Sequence, residues 1–192
     1  MSEAQSVTQK VQTWARGKLG RQIGRGECWD LGEQALKQAG ALTSNDLGPV
    51  QDDTDYVWGE LVSDSKDIEP GYILQLRDHV VTTTTTVTYT FADGSTVDSE
   101  TEEIAKRGHH TAIANGKVDI NGALKTLEQH VKPRGEVVQN KILYLRDVRP
   151  VVTKTVETLI NPATKKREKA NATKTVTITV SGSVWIYKPK AK

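Results

Sequence analysis

Cysteine is almost absent from this 192-residue chain, which contains one, Cys28. A single cysteine excludes an internal disulfide and a zinc site built from several cysteines of one chain. Phenylalanine is equally rare, so the four Trp and five Tyr must supply much of the aromatic core. No apolar run is long enough to cross a membrane, and the first thirty residues lack the apolar segment of a secretory signal peptide. We therefore expect a cytoplasmic protein without membrane contact, unless another route exports it.

An excess of charge of one sign is also missing. The 26 Lys and Arg residues nearly balance the 24 Asp and Glu residues, which leaves a net charge of +2. A nucleic-acid binder usually carries a basic stripe or patch, and here the two signs are interleaved. The local exception, residues 165–167 with Lys169, is more typical of a solvated turn than of a binding patch. The composition argues against a nucleic-acid partner and favours a single domain over residues 1–192.

The N-terminal part of the chain contains two helical patterns. Apolar residues recur at spacings of three and four over residues 4–19 and again over 28–39. Gly20 is expected to end the first helix and Gly40 the second. Residues 41–55 are polar and are expected to form a loop. A short aromatic segment at 56–59 is expected to pack on the two helices.

The remainder of the chain predicts an antiparallel sheet. Apolar or alternating segments, separated by turn residues, predict strands at 72–76, 110–114, 124–131, 136–145 and 184–187. Ser181-Gly182 is expected to break the chain before the last of these strands. The predicted fold class is therefore α+β, with the N-terminal helices packed on an antiparallel sheet.

Two long Thr-rich hairpins are predicted as insertions at about 80–106 and 150–180. Five consecutive threonines stand at 82–86, and Asp93-Gly94 and Asn161-Pro162 are turn signals. Both hairpins are largely polar, so we expect them to project from the core. A disordered low-complexity linker is the alternative for the first one. Because their composition and length are similar, we expect them to pair side by side, and they could bind a protein partner or mediate self-association.

The single cysteine stands where a glycine-broken loop becomes a helix. Gly24 and Gly26 precede Cys28, and the partial positive charge at a helix start favours a thiolate. The backbone N–H of Cys28 could donate to a developing oxyanion, and the side-chain amide of Gln22 could be a second donor. The alternatives are a small buried thiol for Cys28 and a solvated loop residue for Gln22.

His110 is the best candidate for a general base among the four histidines. In a strand its imidazole shares a face with Ala112, whose small side chain leaves room for the helix that carries Cys28. His109 points to the opposite face. The adjacent histidines could instead form a metal pair, although neighbouring side chains of a strand diverge.

A third group must orient the imidazole by accepting its hydrogen bond. On the strand that follows His110, Glu128 and His130 share one face, and Gln129 faces the other way. Glu128 is therefore the candidate orienting carboxylate, with His130 as an auxiliary polar group. The alternative is that Glu128 is a surface carboxylate.

The chain resembles the NlpC/CHAP branch of the papain-like cysteine hydrolases in five stretches. These are residues 26–31 (GECWDL), 56–59 (YVWG), 70–75 (PGYILQ), 109–113 (HHTAI) and 127–130 (LEQH). The likeness is strongest to a CHAP-like subgroup, similar to the cysteine-proteinase-fold domain of fungal actin-patch proteins that bind myosin tails. It spans about residues 20–145 and the strand at 184–187, so the two Thr-rich hairpins lie outside it.

The resemblance implies a nucleophile at Cys28 and a base at His110, which begins a match to the family's His-x-Ala-Ile strand. Glu128 matches the glutamate of the family's Glu-x-Asn ending, whereas His130 stands where the Asn is expected. A glutamine six residues before the nucleophile, here Gln22, follows the papain oxyanion pattern. Such enzymes are amidases or endopeptidases, many of which act on peptidoglycan stem peptides, and they use no metal or organic cofactor.

Two other functions stay open. A papain-like fold with weak or no catalysis could serve as a protein-binding module, as the likeness to domains of cytoskeletal adaptors and the two hairpins suggest. A secreted wall-degrading toxin or phage lysin would need an export route that the sequence does not show.

Overall fold

The computed structural model describes residues 5–51 and 53–192. Its helices are α1 (Val7–Arg16), α2 (Cys28–Ala39) and α3 (Ser44–Leu47). Its strands are β1 (Glu60–Val62), β2 (Ile73–Phe91), β3 (Thr96–Ala114), β4 (Ala123–Glu128), β5 (Gln139–Tyr144), β6 (Val148–Ile160) and β7 (Arg167–Lys188). The combination of helices with an antiparallel sheet agrees with the predicted α+β class. Among the described helices, none combines the length and the apolar character that a membrane span needs.

Helix α1 ends earlier than predicted. At its start, the Ser6 hydroxyl accepts a hydrogen bond from the Gln9 N–H, and the Gln9 side chain accepts one from the Ser6 N–H. Gly17, rather than Gly20, follows the last helical residue. Leu19 forms an isolated bridge instead of a helical turn. The segment from Gly17 onward is therefore part of the loop that leads to Cys28.

Helix α2 has the predicted bounds and buries the predicted face. The four apolar residues of that face are buried: Leu31, Ala35, Leu36 and Ala39. Gly40 ends the helix in the left-handed conformation, with φ of 70°, as expected. A Cβ added at Gly32 would lie 3.1 Å from the ring of Trp58, which is fully buried. The aromatic segment therefore packs on this helix, as predicted, whereas the short helix α3 lies within the stretch predicted as loop.

The strands form one sheet in the order β1-β7-β2-β3-β4-β5, and β6 also pairs with β7. Strand β7 continues through Ser181 and Gly182, so the predicted break at these residues is wrong. Gly182 has φ of 93°, and a Cβ there would lie 2.3 Å from the carbonyl oxygen of Asp78. Glycine is needed because the backbone of β2 approaches closely, rather than because the chain turns.

The described chain divides into two compact units. The first contains the residues up to His79, together with Lys106–Leu145 and Ser181–Lys192. Its sheet is buried on both faces, as shown by neighbouring residues of one strand that belong to different apolar clusters. Ile73 packs in the cluster that contains α1 and α2, and Leu74 in a second cluster with Ile68 and Leu143.

The second unit consists of Val80–Ala105 and Arg146–Val180, the two Thr-rich hairpins. The threonines at 82–86 lie within β2, so the disordered-linker alternative is wrong. The Asn161 amide donates to the Asp93 carboxylate at 2.9 Å, which brings the two hairpin turns together. Since β2 and β7 are neighbours in the sheet, the predicted side-by-side pairing of the hairpins is confirmed.

Candidate active site

Cys28 is the first residue of α2, and its side chain is partly exposed. Its Sγ lies against the backbone of β3, 4.0 Å from the carbonyl oxygen of His109. Burial raises the pKa of the Cys28 thiol. The hydrogen bond and charge of His110 oppose that effect, followed by hydrogen bonds from backbone N–H groups of Thr111 and Trp29, so that the pKa is lowered overall. The sulfur therefore meets the physical conditions for a reactive thiolate.

Gln129 holds the loop that precedes Cys28. Its side-chain oxygen accepts a hydrogen bond from the Ile23 N–H at 2.8 Å. Its amide nitrogen donates to the carbonyl oxygens of Ile23, at 3.0 Å, and Glu27, at 2.8 Å. Gln129 is fully buried, so these bonds fix the backbone just before the nucleophile. It lies just beyond the end of β4, and the sequence pattern did not reveal this positioning role.

Asp30 holds the same loop from within α2. Its carboxylate accepts hydrogen bonds from the N–H groups of Arg25, at 2.7 Å, and Glu27, at 3.3 Å. Gly24 has φ of 58°, and a Cβ there would lie 2.6 Å from the Asp30 carboxyl carbon. The glycine of the predicted motif is therefore required by this contact as well as by its left-handed backbone.

His110 lies on β3 next to Cys28 and is 5% exposed. Its Nε2 is 3.2 Å from a Glu128 carboxylate oxygen, with an N–H direction outside hydrogen-bond geometry, so this contact is an ion pair. Burial lowers the pKa of His110, but the close contacts with Cys28 and Glu128 and the negative charges of these two groups outweigh burial and raise it to about 9. The imidazole is therefore protonated at neutral pH.

Glu128 is fully buried at the end of β4, so the surface-carboxylate alternative is wrong. It stands opposite Ala112 in the β3–β4 register, which places it diagonal to His110 on one face. Burial raises the pKa of Glu128. The close contact with His110 and the charge of Arg107 reverse this effect and lower the pKa to about 2. The carboxylate is ionised and can stabilise the imidazolium.

Arg107 and Thr126 complete the surroundings of Glu128. Arg107 donates to the two carboxylate oxygens at 2.7 and 3.2 Å, and the Thr126 hydroxyl donates at 2.6 Å. Arg107 is buried, at 7% exposure. Sequence reasoning missed it, because simple strand alternation would place Arg107 and His110 on opposite faces of β3.

His109 diverges from His110, as predicted. Its Nε2 is 3.8 Å from the Asp55 carboxylate, and its ring centre is 4.9 Å from that of Tyr56. The two histidines therefore do not face one common point. Within residues 5–51 and 53–192, no group of three or more His, Cys, Asp or Glu side chains could hold a metal ion.

His130 does not share a face with Glu128, so this part of the prediction is wrong. Strand β4 ends at Glu128, and the backbone of His130 is left-handed, with φ of 63°. Strand alternation no longer applies beyond that point. The His130 side chain is more than half exposed, and its Nδ1 lies 3.6 Å from the carboxylate of Glu27.

Gln22 is exposed, as the solvated-loop alternative required, and it also lies close to the site. A Cβ added at Gly26 would lie 3.3 Å from the Gln22 amide nitrogen. Gly26 precedes Cys28 by two residues. The Gln22 amide therefore lies beside Gly26, near the end of the loop that precedes α2.

Searches against protein-family models, curated proteins and solved structures found no match to this chain. The chemistry of the site is therefore what indicates a function for this chain. The site places a thiol of lowered pKa, a protonated imidazole and an ionised carboxylate in contact, in that order. This order of groups can perform nucleophilic attack coupled to proton transfer.

Proposed function

We propose that this chain is a cysteine-dependent amide hydrolase, an amidase or endopeptidase with a papain-like fold of the NlpC/CHAP kind. The observation that carries the proposal is the contact of Cys28 with His110 and of His110 with Glu128. A buried cysteine with only a structural role would have no need of a neighbouring imidazolium. Its pKa would be raised by burial rather than lowered.

In the first step, the Cys28 thiolate attacks the carbonyl carbon of a bound amide. A C–S bond forms, and the carbonyl electrons move to the oxygen, which becomes an oxyanion. The Cys28 backbone N–H belongs to the first turn of α2, where N–H groups have no intrahelical acceptor. Together with the Gln22 amide it can donate to this oxyanion.

In the second step, His110 gives its proton to the leaving nitrogen as the C–N bond breaks. The product amine departs, and the acyl group remains on the sulfur as a thioester. The neutral imidazole then takes a proton from a water molecule, whose oxygen attacks the thioester carbon. The C–S bond breaks, which releases the acid and restores the Cys28 thiolate and the His110 imidazolium. Glu128 holds the ring orientation in both steps, and Arg107 keeps that carboxylate ionised.

The proposed substrate class is a peptide or another amide, such as a peptidoglycan stem peptide. This assignment depends on the family resemblance, as does the expectation that no metal or organic cofactor takes part. A cytoplasmic location also belongs to the proposal, and cell fractionation tests it.

The pH dependence of alkylation tests the proposed nucleophile. Iodoacetamide should label Cys28 with a half-maximal rate at a pH below that of an unperturbed cysteine. His110→Ala should move that midpoint upward, because burial then dominates the pKa of the thiol. His109→Ala is the matched control and should leave the midpoint nearly unchanged. A wild-type profile like that of a free thiol, with no effect of His110→Ala, would refute the proposal.

A protein-binding module with weak or no catalysis is the second candidate. It is favoured by the second unit, whose outer strands expose most of their side chains. Cys28→Ala should then leave partner capture intact, whereas deletion of residues 80–106 should abolish it. Hydrolysis of peptidoglycan stem peptides by wild-type protein, lost in Cys28→Ala, would favour the enzyme instead.

A further inference from the structure

The two hairpins of the second unit carry opposite charge. Residues Val80–Ala105 contain five acidic side chains and no basic one. Residues Arg146–Val180 contain eight basic side chains and three acidic ones. The net charges are therefore −5 and +5, although the whole chain is close to neutral. This separation creates a positive and a negative side within one small unit.

The outer strand of each hairpin has an open edge in the second unit. Strand β4 pairs with β3 only at Ala112–Ala114, which leaves the stretch from Thr96 to Ala105 with β2 alone. Strand β6 pairs with β7 and with no other strand of the described chain. Apart from Pro150, which has no N–H and adjoins an irregularity in the pairing of β6 with β7, these open edges present unpaired N–H and C=O groups that can accept another strand.

Exposed apolar side chains are concentrated on the same two strands. Six of the ten large apolar residues that are exposed in the described chain lie there: Val97, Ile104, Val151, Val152, Val156 and Ile160. The two inner strands of the unit bury residues such as Phe91 and Ala172. The outer strands therefore combine apolar surface with an unpaired edge.

The charged residues of the two edges are also without ionic partners. The edge of β3 carries four acidic residues, Asp98, Glu100, Glu102 and Glu103, and β6 carries two basic residues, Arg149 and Lys154, with one acidic residue, Glu157. None of these seven takes part in an ion pair within the described residues.

The strand directions allow the edge of β3 to pair antiparallel with the edge of β6 from another copy. The contact of Asn161 with Asp93 places both hairpin turns at the same end of the unit. Strands β6 and β2 therefore run toward that end, and β7 and β3 run away from it. In the order β6-β7-β2-β3 the directions alternate, so β6 of a second unit placed next to β3 would again be antiparallel.

We propose that the second unit binds a second copy of this chain head to tail, with the acidic edge of β3 pairing with β6 of the next copy. Contact between two β3 edges would bring carboxylates together, and contact between two β6 edges would bring Arg149 and Lys154 together. Both like-charge pairings are disfavoured. The contact is heterologous, so it continues into rings or open chains of subunits rather than closing as a two-fold dimer.

Sedimentation of the full chain over a range of concentrations and salt tests the proposal. At about 0.1 M salt the mean mass should rise with concentration to about twice the monomer mass or more. At about 1 M salt, where the screening length is roughly 3 Å, it should fall back toward the monomer. A protein that stays monomeric at every concentration in low salt would overturn the proposal.

Charge reversal on each edge identifies the contact. The variants E100K/E102K/E103K and R149E/K154E should each be monomeric, because each then carries two edges of the same sign. Mixing the two variants should restore assembly, since each reversed edge meets its complement in the other variant. A chain that carries all five substitutions should also assemble.

A matched control makes similar charge changes in the first unit, with Lys10→Glu and Lys125→Glu, both of which are exposed. It should assemble like the wild type. Circular dichroism and Cys28 alkylation should show that the edge variants are folded. Assembly that persists in both edge variants would overturn the proposal. So would a monomer that binds a short RNA through the basic hairpin, because the positive edge would then serve a polyanion.

Discussion

The guanidinium of Arg107 holds both oxygens of the Glu128 carboxylate, at 2.7 and 3.2 Å, inside the core of the first unit. The same carboxylate lies 3.2 Å from His110. A buried carboxylate between two cations remains ionised, and it can therefore keep the imidazole protonated. The residue that sequence reasoning missed thus supports the electrostatics of the whole site.

Arg107→Gln should destabilise the fold strongly. The substitution leaves Glu128 buried with one cation instead of two, and breaking a buried ion pair from one side costs about 3–5 kcal/mol. Urea unfolding at neutral pH measures the loss. In the double variant Arg107→Gln/Glu128→Gln, part of the stability should return, because no unpaired charge remains. A double variant less stable than the sum of both single losses would contradict this account.

Glu128→Gln should lower the pKa of His110 from about 9. The glutamine can still occupy the space beside the ring, but it offers no negative charge. Proton NMR of the His110 ring, followed across the pH range, measures the shift. Alkylation of Cys28 at neutral pH should slow in the same variant, because the imidazolium that stabilises the thiolate becomes less populated. An unchanged His110 titration would show that the carboxylate does not act on the ring.

Protonation of Glu128 should lower the free energy of unfolding in acid. Its pKa of about 2 lies below the ordinary value of 4.5, so its contribution is complete above 4.5 and is lost as the pH falls toward 2. Glu128→Gln should flatten this part of the curve of unfolding free energy against pH. On the alkaline side, the free energy of unfolding should change little with pH. The raised pKa of His110 costs stability as the pH rises, and the lowered pKa of Cys28 opposes that loss.

Gln129→Leu should loosen the loop before Cys28. The apolar side chain leaves the N–H and C=O of Ile23 and the C=O of Glu27 without these partners. We expect a loss of about 1–3 kcal/mol and slower alkylation of Cys28. Gln129→Glu is an informative comparison, since it keeps the acceptor but places negative charge against two carbonyl oxygens. Full reactivity in both variants would contradict a positioning role.

Gly24→Ala should be more harmful than Gly20→Ala, although both glycines have positive φ, 58° and 74°. Each substitution carries the cost of a left-handed alanine, roughly 1 kcal/mol. At Gly24 the new Cβ also meets Asp30, whereas at Gly20 nothing lies within 4 Å. Thermal unfolding of the two variants measures the difference, which should exceed about 1 kcal/mol. Equal losses would mean that Asp30 moves aside freely.

The sequence was sufficient for the features that depend on local spacing. The bounds of α2 follow from a period of three to four residues and from Gly40, which accepts a left-handed backbone. The divergence of His109 from His110 follows from the two-residue alternation of a strand. The position of Cys28 at a helix start follows from the glycines before it. Each of these depends on residues within a few positions of one another. The expectation that α2 packs on the face of Ala112 is wrong, because α2 packs against Thr111 and Ala112 belongs to the other apolar cluster.

Only the tertiary structure decided the features that depend on where a distant backbone passes. Strand β4 ends at Glu128, so alternation gave the wrong side for His130. Gly182 lies within β7, and the close approach of the Asp78 carbonyl oxygen is what requires a glycine there.

Arg107 contacts Glu128, although strand alternation would place Arg107 on the face opposite to His110. Gln129 contacts the loop before Cys28, which lies more than a hundred residues earlier in the chain. The sequence was therefore sufficient to indicate the candidate reactive groups. Their charges and positions were set by neighbours that only the folded chain brings together.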